Sequence, residues 1–502
     1  MLRLVTVFIL GLFSTQALAQ SEKPAGEAPN AVVSGLIQKR MANAHIPGAQ
    51  VAVVRHGQVA MLESYGLANI EHQAAVTDDS VFALNSITKV FTAVAILQLA
   101  EDGKLSLDDP ISRHIDDLPL AWRGISIRQL LNHTSGLPNI IDDHERIIGG
   151  GDAASAWALV QTLSIQSRPG DRYSYNQTGY VILGKIIDRL AGEPFTTFIE
   201  TRQFQAAGMT HTRFGDSSDI VANSAGSYTT IENVNGRWVD RGRLAAAFVE
   251  FPVFFRTAAG ALSTAEDMAR WMIALQSGAL LKPSSLVELW KPVRLNNDDL
   301  GGPNDFMNGQ ALSWPMVVRS DHPAAAAVGG TRSAVFYYPD DDLGIIVLTN
   351  LQGASPEYMM DRLAAAYVPD MDESTGFGLP HSIQRLRAQL LERGFDRARQ
   401  VASRLKGDDP AFVLKENDLN AWGYKLMEQG QPQQAVAVLK LAAELYPDSA
   451  NAYDSLGEAF QNSGDRQRAL ENYRRSLSLD PANQNARQRI ADLEQGLADQ
   501  TN

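Results

Sequence analysis

Across 502 residues there is no cysteine. That absence excludes disulfides, thiolate metal sites, iron–sulfur clusters and a cysteine nucleophile together. It also leaves no thiol for the lipid attachment of an exported lipoprotein. Basic residues are in deficit: 44 Lys+Arg stand against 57 Asp+Glu, a net charge of −13. No Lys/Arg-rich run interrupts this acidic balance, so the basic footprint that a nucleic-acid binder needs is missing. No stretch has the roughly 20 consecutive apolar residues of a membrane span. With 45% hydrophobic residues the chain still has ample material for a large core. Its length corresponds to two to four domains of about 100–200 residues.

The N-terminus reads as an export signal. Arg3 precedes an apolar stretch, Leu4–Phe13, which is followed by the small-residue site Ala17-Leu18-Ala19. That is the layout of a secretory signal peptide covering residues 1–19. The mature chain is therefore expected outside the cytoplasm, periplasmic or secreted.

From about Ala31 to Asp370 the pattern is mixed. Two β-rich runs, Ala49–Arg55 and Gln58–Tyr65, flank His56-Gly57, a two-residue hairpin link. A second hairpin joins Ala334–Tyr338 to Leu343–Asn350 through Pro339-Asp340-Asp341-Asp342. Those aspartates lack the spaced ligands and closing glutamate of a calcium loop, so they read as turn chemistry. Between the hairpins, helical spacing marks Thr88–Asp102, Gly179–Ala191 and Thr264–Gln276. Strands at both ends with helices between them predict an α+β domain whose ends pair in one antiparallel sheet flanked by helices.

Met371–Pro380 is acidic and rich in turn formers, a linker, and residues 381–499 read as all helix. There Gly423, Gly430, Ala435 and Pro447 recur 34 residues later as Gly457, Gly464, Ala469 and Pro481. This period with a helix–turn–helix inside it is the tetratricopeptide signature. A degenerate unit over His381–Pro410 supplies a third helix pair, and the array offers a surface for a protein partner.

One spacing carries chemistry. Ser86 and Lys89 open the first long helix one turn apart, on the same face. A serine hydroxyl needs a base, and a desolvated lysine, neutral at working pH, can be that base. The helix N-terminus adds N–H groups suited to an oxyanion. The same spacing at Ser403 and Lys406, inside the helical tail, reads as a solvated face. No His-x-x-x-His or His-Glu-x-x-His pair suggests a metal. His133 reads as a structural support.

FALNSITKVFTAVAILQLAEDGKLSLDDP (Phe82–Pro110) and LLNHTSGLP (Leu130–Pro138) resemble class C serine β-lactamases. They are equally similar to penicillin-binding D-Ala-D-Ala peptidases and to esterases of that fold. RPGDRYSYNQTGYVILG (Arg168–Gly184) and AAGALSTAEDMARW (Ala258–Trp271) extend the likeness in family order. The resemblance implies Ser86 as the acylated nucleophile, Lys89 as its base and Tyr175 as the proton shuttle, with Tyr173 the competing assignment. It implies an oxyanion hole of the Ser86 and Gly330 N–H groups, and neither cofactor nor metal.

Two positions depart from the family pattern. Gln177 stands where Asn is usual. Ala327 stands where the family has Lys or His, the cation that helps hold a substrate carboxylate. The substrate is therefore expected to lack this carboxylate, unless Arg332 or His322 replaces the missing group. Two functions fit these residues. One is an exported serine hydrolase cleaving an ester or amide through a Ser86 acyl-enzyme, of esterase, β-lactamase or D-Ala-D-Ala peptidase type. The other is a binding protein for peptidoglycan fragments or a protein partner, built on a degenerate hydrolase domain and the repeat array.

Overall fold

The computed structural model describes residues 28–234 and 237–498. The expected leader, residues 1–19, lies outside the described residues. The chain divides into two compact units, Met1–Tyr367 and Val368–Asn502. No helix among the described residues is long and apolar enough to cross a membrane.

The first unit is built on an eight-stranded sheet. Its strands are β1 (Gly48–Arg55), β2 (Gln58–Asn69), β3 (Ala74–Ala75), β4 (Gly309–Gln310), β5 (Pro315–Val317), β6 (Ala324–Gly329), β7 (Ser333–Tyr338) and β8 (Leu343–Thr349). They lie in the order β3-β2-β1-β8-β7-β6-β5-β4. Both expected hairpins form. His56 and Gly57 take φ of 52° and 68°, the left-handed pair that matches the twist of a two-residue hairpin. At the other turn Asp342 takes φ 47°. The two ends of the domain meet where β1 pairs antiparallel with β8, Val51 opposite Val347.

Helices cover both faces of this sheet. On one side α1 (Pro29–Ala44) and the short helix Met360–Ala364 lie against it. On the other are α2 (Thr88–Glu101), α3 (Thr178–Ala191) and α4 (Ala265–Gln276), with α4 directly on β1 and β8. The spacing of α2 suggests one apolar stripe, but every residue from Thr88 to Leu99 is buried. A helix wrapped on all sides must satisfy its polar groups internally. Most are met: Thr92 Oγ1 donates to the Thr257 carbonyl at 2.8 Å and Gln98 Nε2 to the Leu280 carbonyl at 3.1 Å, while Gln98 Oε1 has no partner. Trp122 and Trp314 are core residues, and Trp157 packs edge-on to Trp122 at 6.0 Å.

The second unit is helical: α5 (His381–Arg393), α6 (Ala398–Asp408), α7 (Glu416–Glu428), α8 (Pro432–Leu445), α9 (Ala450–Asn462), α10 (Arg466–Leu479) and α11 (Gln484–Ala498). The repeated glycines explain the period. A Cβ at Gly423 would sit 2.5 Å from Leu439, and one at Gly457 would sit 2.9 Å from Tyr473. Each glycine thus lets a large side chain, 16 positions on, seat against the first helix of its pair. Ala435 and Ala469 are fully buried at the equivalent small positions.

Candidate active site

The strand residues Phe82–Ala83 pair with Ala261–Ser263. The chain then turns through Asn85, whose φ is 47°, into a tight turn over Asn85–Ile87 that feeds α2. Thr88 Oγ1 fastens the junction, donating to the Asn85 carbonyl at 2.6 Å and accepting the Ala261 N–H at 3.0 Å. Ser86 is thereby held half-buried at the mouth of a fully buried helix.

Lys89, only 2% exposed, lies one turn in, with Nζ 3.3 Å from Ser86 Oγ. It donates to the Ala258 carbonyl at 2.7 Å, and no carboxylate among the described residues forms an ion pair with it. Its ammonium sits 4.9 Å and 5.0 Å above the rings of Tyr175 and Tyr180. Burial pulls its pKa below the ordinary lysine value, and the nearby Tyr175 oxygen only partly offsets this. A neutral amine with one N–H on Ala258 keeps its lone pair for the Ser86 proton, the requirement for a general base.

Tyr175, not Tyr173, reaches the nucleophile: its hydroxyl donates to Ser86 Oγ at 2.8 Å. Tyr173 is turned edge-on to His133, at 5.9 Å, and burial raises its pKa. Tyr175 is 43% exposed, so its hydroxyl serves a site open to solvent. The strip behind it is anchored by Asn176. That side chain donates to the Leu137 and Pro138 carbonyls at 2.8 and 3.2 Å and accepts the Gly179 N–H at 2.9 Å. Gln177 is buried at the start of α3; its N–H donates to Asn139 Oδ1 at 3.0 Å, and its Oε1 has no partner.

The turn after β6 closes against the same corner. A Cβ at Gly329 would lie 2.0 Å from the Leu84 carbonyl, and one at Gly330 would lie 2.9 Å from Asn85 Nδ2. Gly330 also has φ 55°. Only glycines let this strand end approach the residue before Ser86, which places Gly330 beside the nucleophile's turn.

The position of the missing cation is built as core. Ala327 is 2% exposed on β6, opposite Val335. Neither expected substitute stands beside it. His322 is at the far end of β6, its Nδ1 2.9 Å from both oxygens of Asp341 in the second hairpin turn. Arg332 prolongs the β7 ladder, its carbonyl accepting the Thr349 N–H at 3.2 Å. The residue itself belongs to the turn between β6 and β7, outside either strand, and its guanidinium forms no ion pair among the described residues. It is 3% exposed, burial lowers its pKa to about 10, and its Nη1 has no partner.

The sequence profile of the Beta-lactamase family matches residues 33–368. The chain belongs to the beta-lactamase family. As a member it is a serine hydrolase, and a Tetratricopeptide repeat profile matches residues 450–483. A penicillin-binding protein of Bacillus subtilis is 27% identical over 381 residues, 73% of this chain and 82% of that one. Among solved structures, the octameric penicillin-binding protein homologue from Pyrococcus abyssi aligns with TM-score 0.59 and 23% identity, over 71% and 81% of the two chains. The D-amino acid amidase from Ochrobactrum anthropi SV3 aligns with TM-score 0.57 and 21% identity, over 68% and 99%. These structural likenesses place the fold.

Sequence reasoning missed three contributors to this beta-lactamase-family site, the Ala258 carbonyl, Asn85 and Asn176, and gave His133 a structural role without its partners. His133 and Asn176 lie inside the quoted motifs, so their proximity to the nucleophile was readable in principle. The Ala258 carbonyl carries no side-chain signal at all.

Proposed function

We propose that the protein hydrolyses an ester or amide lacking a carboxylate next to the scissile bond, through an acyl-enzyme on Ser86, outside the cytoplasm. The observation that carries this reading is Ala327. Where a cation would meet a substrate carboxylate there is a buried methyl group, with His322 engaged by Asp341. Seating a carboxylate there without a partner costs several kcal/mol.

In this reading neutral Lys89 takes the Ser86 proton as Oγ attacks the carbonyl carbon. The Ser86 and Gly330 N–H groups receive the negative charge that develops on the carbonyl oxygen. Tyr175, bonded to Ser86 Oγ, passes a proton to the departing alcohol or amine as the scissile bond breaks. Water then attacks the acyl-enzyme, gives its proton to the same pair, and releases the acid and Ser86. The amidase neighbour is in keeping with amide chemistry on this fold. The helical unit supports a protein partner, since stacked repeats present an extended surface.

The test has two parts. Mass spectrometry after a fluorophosphonate probe is expected to show one adduct, on Ser86; no adduct with any such probe would favour a binding protein instead. Hydrolysis of a neutral p-nitrophenyl ester is then compared with that of a chromogenic cephalosporin. Efficient cephalosporin turnover that survives Arg332→Ala and His322→Ala would overturn the carboxylate argument.

A further inference from the structure

The least expected residue near Ser86 is His133. Its imidazole is 2% exposed, and its backbone takes φ 58°, a left-handed conformation uncommon for a residue with a side chain. It grips the strip that carries Tyr175 at the two positions that flank it. The His133 carbonyl accepts the Ser174 N–H at 2.8 Å, and its Nδ1 accepts the Asn176 N–H at 3.1 Å. The residues on either side of Tyr175 are thus tied to the same histidine.

The ring completes the arrangement. Its centroid lies 4.5 Å from that of Tyr175 at 44°, and 5.2 Å from that of Tyr180 at 32°. The cation of Lys89 sits over those same two phenols. A backbone N–H can only donate, so Nδ1 must be the lone-pair nitrogen and the proton of the neutral ring is on Nε2. Burial lowers the His133 pKa well below the ordinary histidine value and preserves this form.

We propose that His133 is a positioning residue for catalysis: as a neutral imidazole it brackets Tyr175 and sets the phenol against Lys89 and Ser86. This rests on the hydrolase reading only for its kinetic consequence; the geometric consequence stands separately. Without the acceptor at Nδ1, the Asn176 N–H is left unpaired in a buried place, and the strip carrying Tyr175 shifts to satisfy it. A displacement of about 1 Å at a reacting group is enough for a hundredfold loss.

His133→Phe keeps a ring and removes the acceptor, whereas His133→Asn removes the ring and places Oδ1 near the position of Nδ1. For His133→Phe, kcat on a p-nitrophenyl ester is expected to fall about tenfold or more at nearly constant KM. His133→Asn is expected to recover most of that loss. A second readout needs no turnover: the nuclear Overhauser contact between the Tyr175 ring and the Lys89 ε-methylene. It is expected in the wild type and in His133→Asn, and weakened or lost in His133→Phe. A folded His133→Phe protein that keeps both kcat and this contact would overturn the proposal. His133→Leu and His133→Met make the same deletion without a large ring if phenylalanine prevents folding. A wild type that labels with no probe and turns over no ester would sink the hydrolase reading, and the Tyr175–Lys89 contact would still decide the role of His133.

Discussion

The two units of this chain each contain a serine followed three residues later by a lysine on a helix, and the two pairs have opposite fates. Ser86 and Lys89 sit at a strand-to-helix junction, the lysine buried and bonded to the Ala258 carbonyl. Ser403 and Lys406 are both exposed on α6, where Lys406 Nζ donates to the Pro410 carbonyl at 2.6 Å. Identical spacing gives identical local geometry, with both side chains on one helix face. What differs is the solvent: in one unit the amine is stripped of water and its pKa falls, and in the other it lies open to solvent. Chemistry here is a property of the surroundings of the pair.

The largest test of that contrast is Ser86→Ala against Ser403→Ala. The first is expected to lower kcat/KM for an ester by about a thousandfold or more, as for loss of a catalytic nucleophile. The second is expected to leave it unchanged. Tyr175→Phe comes next, with a loss in kcat of about a hundredfold or more, the scale of general acid–base groups. Tyr173→Phe is expected to cost far less, because its ring packs on His133 and its hydroxyl does not reach Ser86.

Within the helical unit, Gly457→Ala drives a methyl into Tyr473. A loss of about 1–3 kcal/mol is expected for such overpacking, read as a lower denaturation midpoint of that unit at unchanged esterase activity. Lys89→Met reverses the usual sign. Activity is abolished, yet replacing a buried polar amine by an apolar side chain of similar length is expected to stabilise the fold by about 1–2 kcal/mol. The pH dependence follows from the same shift. The unfolded chain binds the lysine proton more tightly than the folded one, so stability rises with pH between the lowered folded pKa and about 10.4. In Lys89→Met that rise is expected to flatten in chemical denaturation across pH. Hydrolysis by the wild type is expected to fail as pH drops through the folded pKa, when Lys89 becomes charged.

Much of this arrangement was legible beforehand. The two hairpins and the 34-residue period rest on local patterns that survive folding, and the pairing of the first domain's ends follows from strands at both ends with helices between. Register with Thr178-Gly179-Tyr180 favours Tyr175 over Tyr173, and it is the Tyr175 hydroxyl that bonds Ser86 Oγ. Nearness along the chain gives no sign of a partner brought in by the fold: His322 is tied to Asp341, 19 residues on. The Ala258 carbonyl was unreadable because a backbone acceptor looks alike in every residue.

The sequence by itself determined which groups are available: no thiol, a serine and a lysine one turn apart, a tyrosine in a family motif, glycines where backbones must touch, and alanine where a cation is usual. Only the tertiary structure decided which of them work together. It buried Lys89 beside Ser86, left Lys406 in water, closed Gly330 on Asn85, and clasped Tyr175 between two bonds to His133. The physical reason is that the pKa of an amine and the reach of a phenol are set by what surrounds them in space. Those surroundings come from segments far apart in sequence, 89 residues for Tyr175 and Ser86 and 169 for Lys89 and Ala258, which no local pattern brings together.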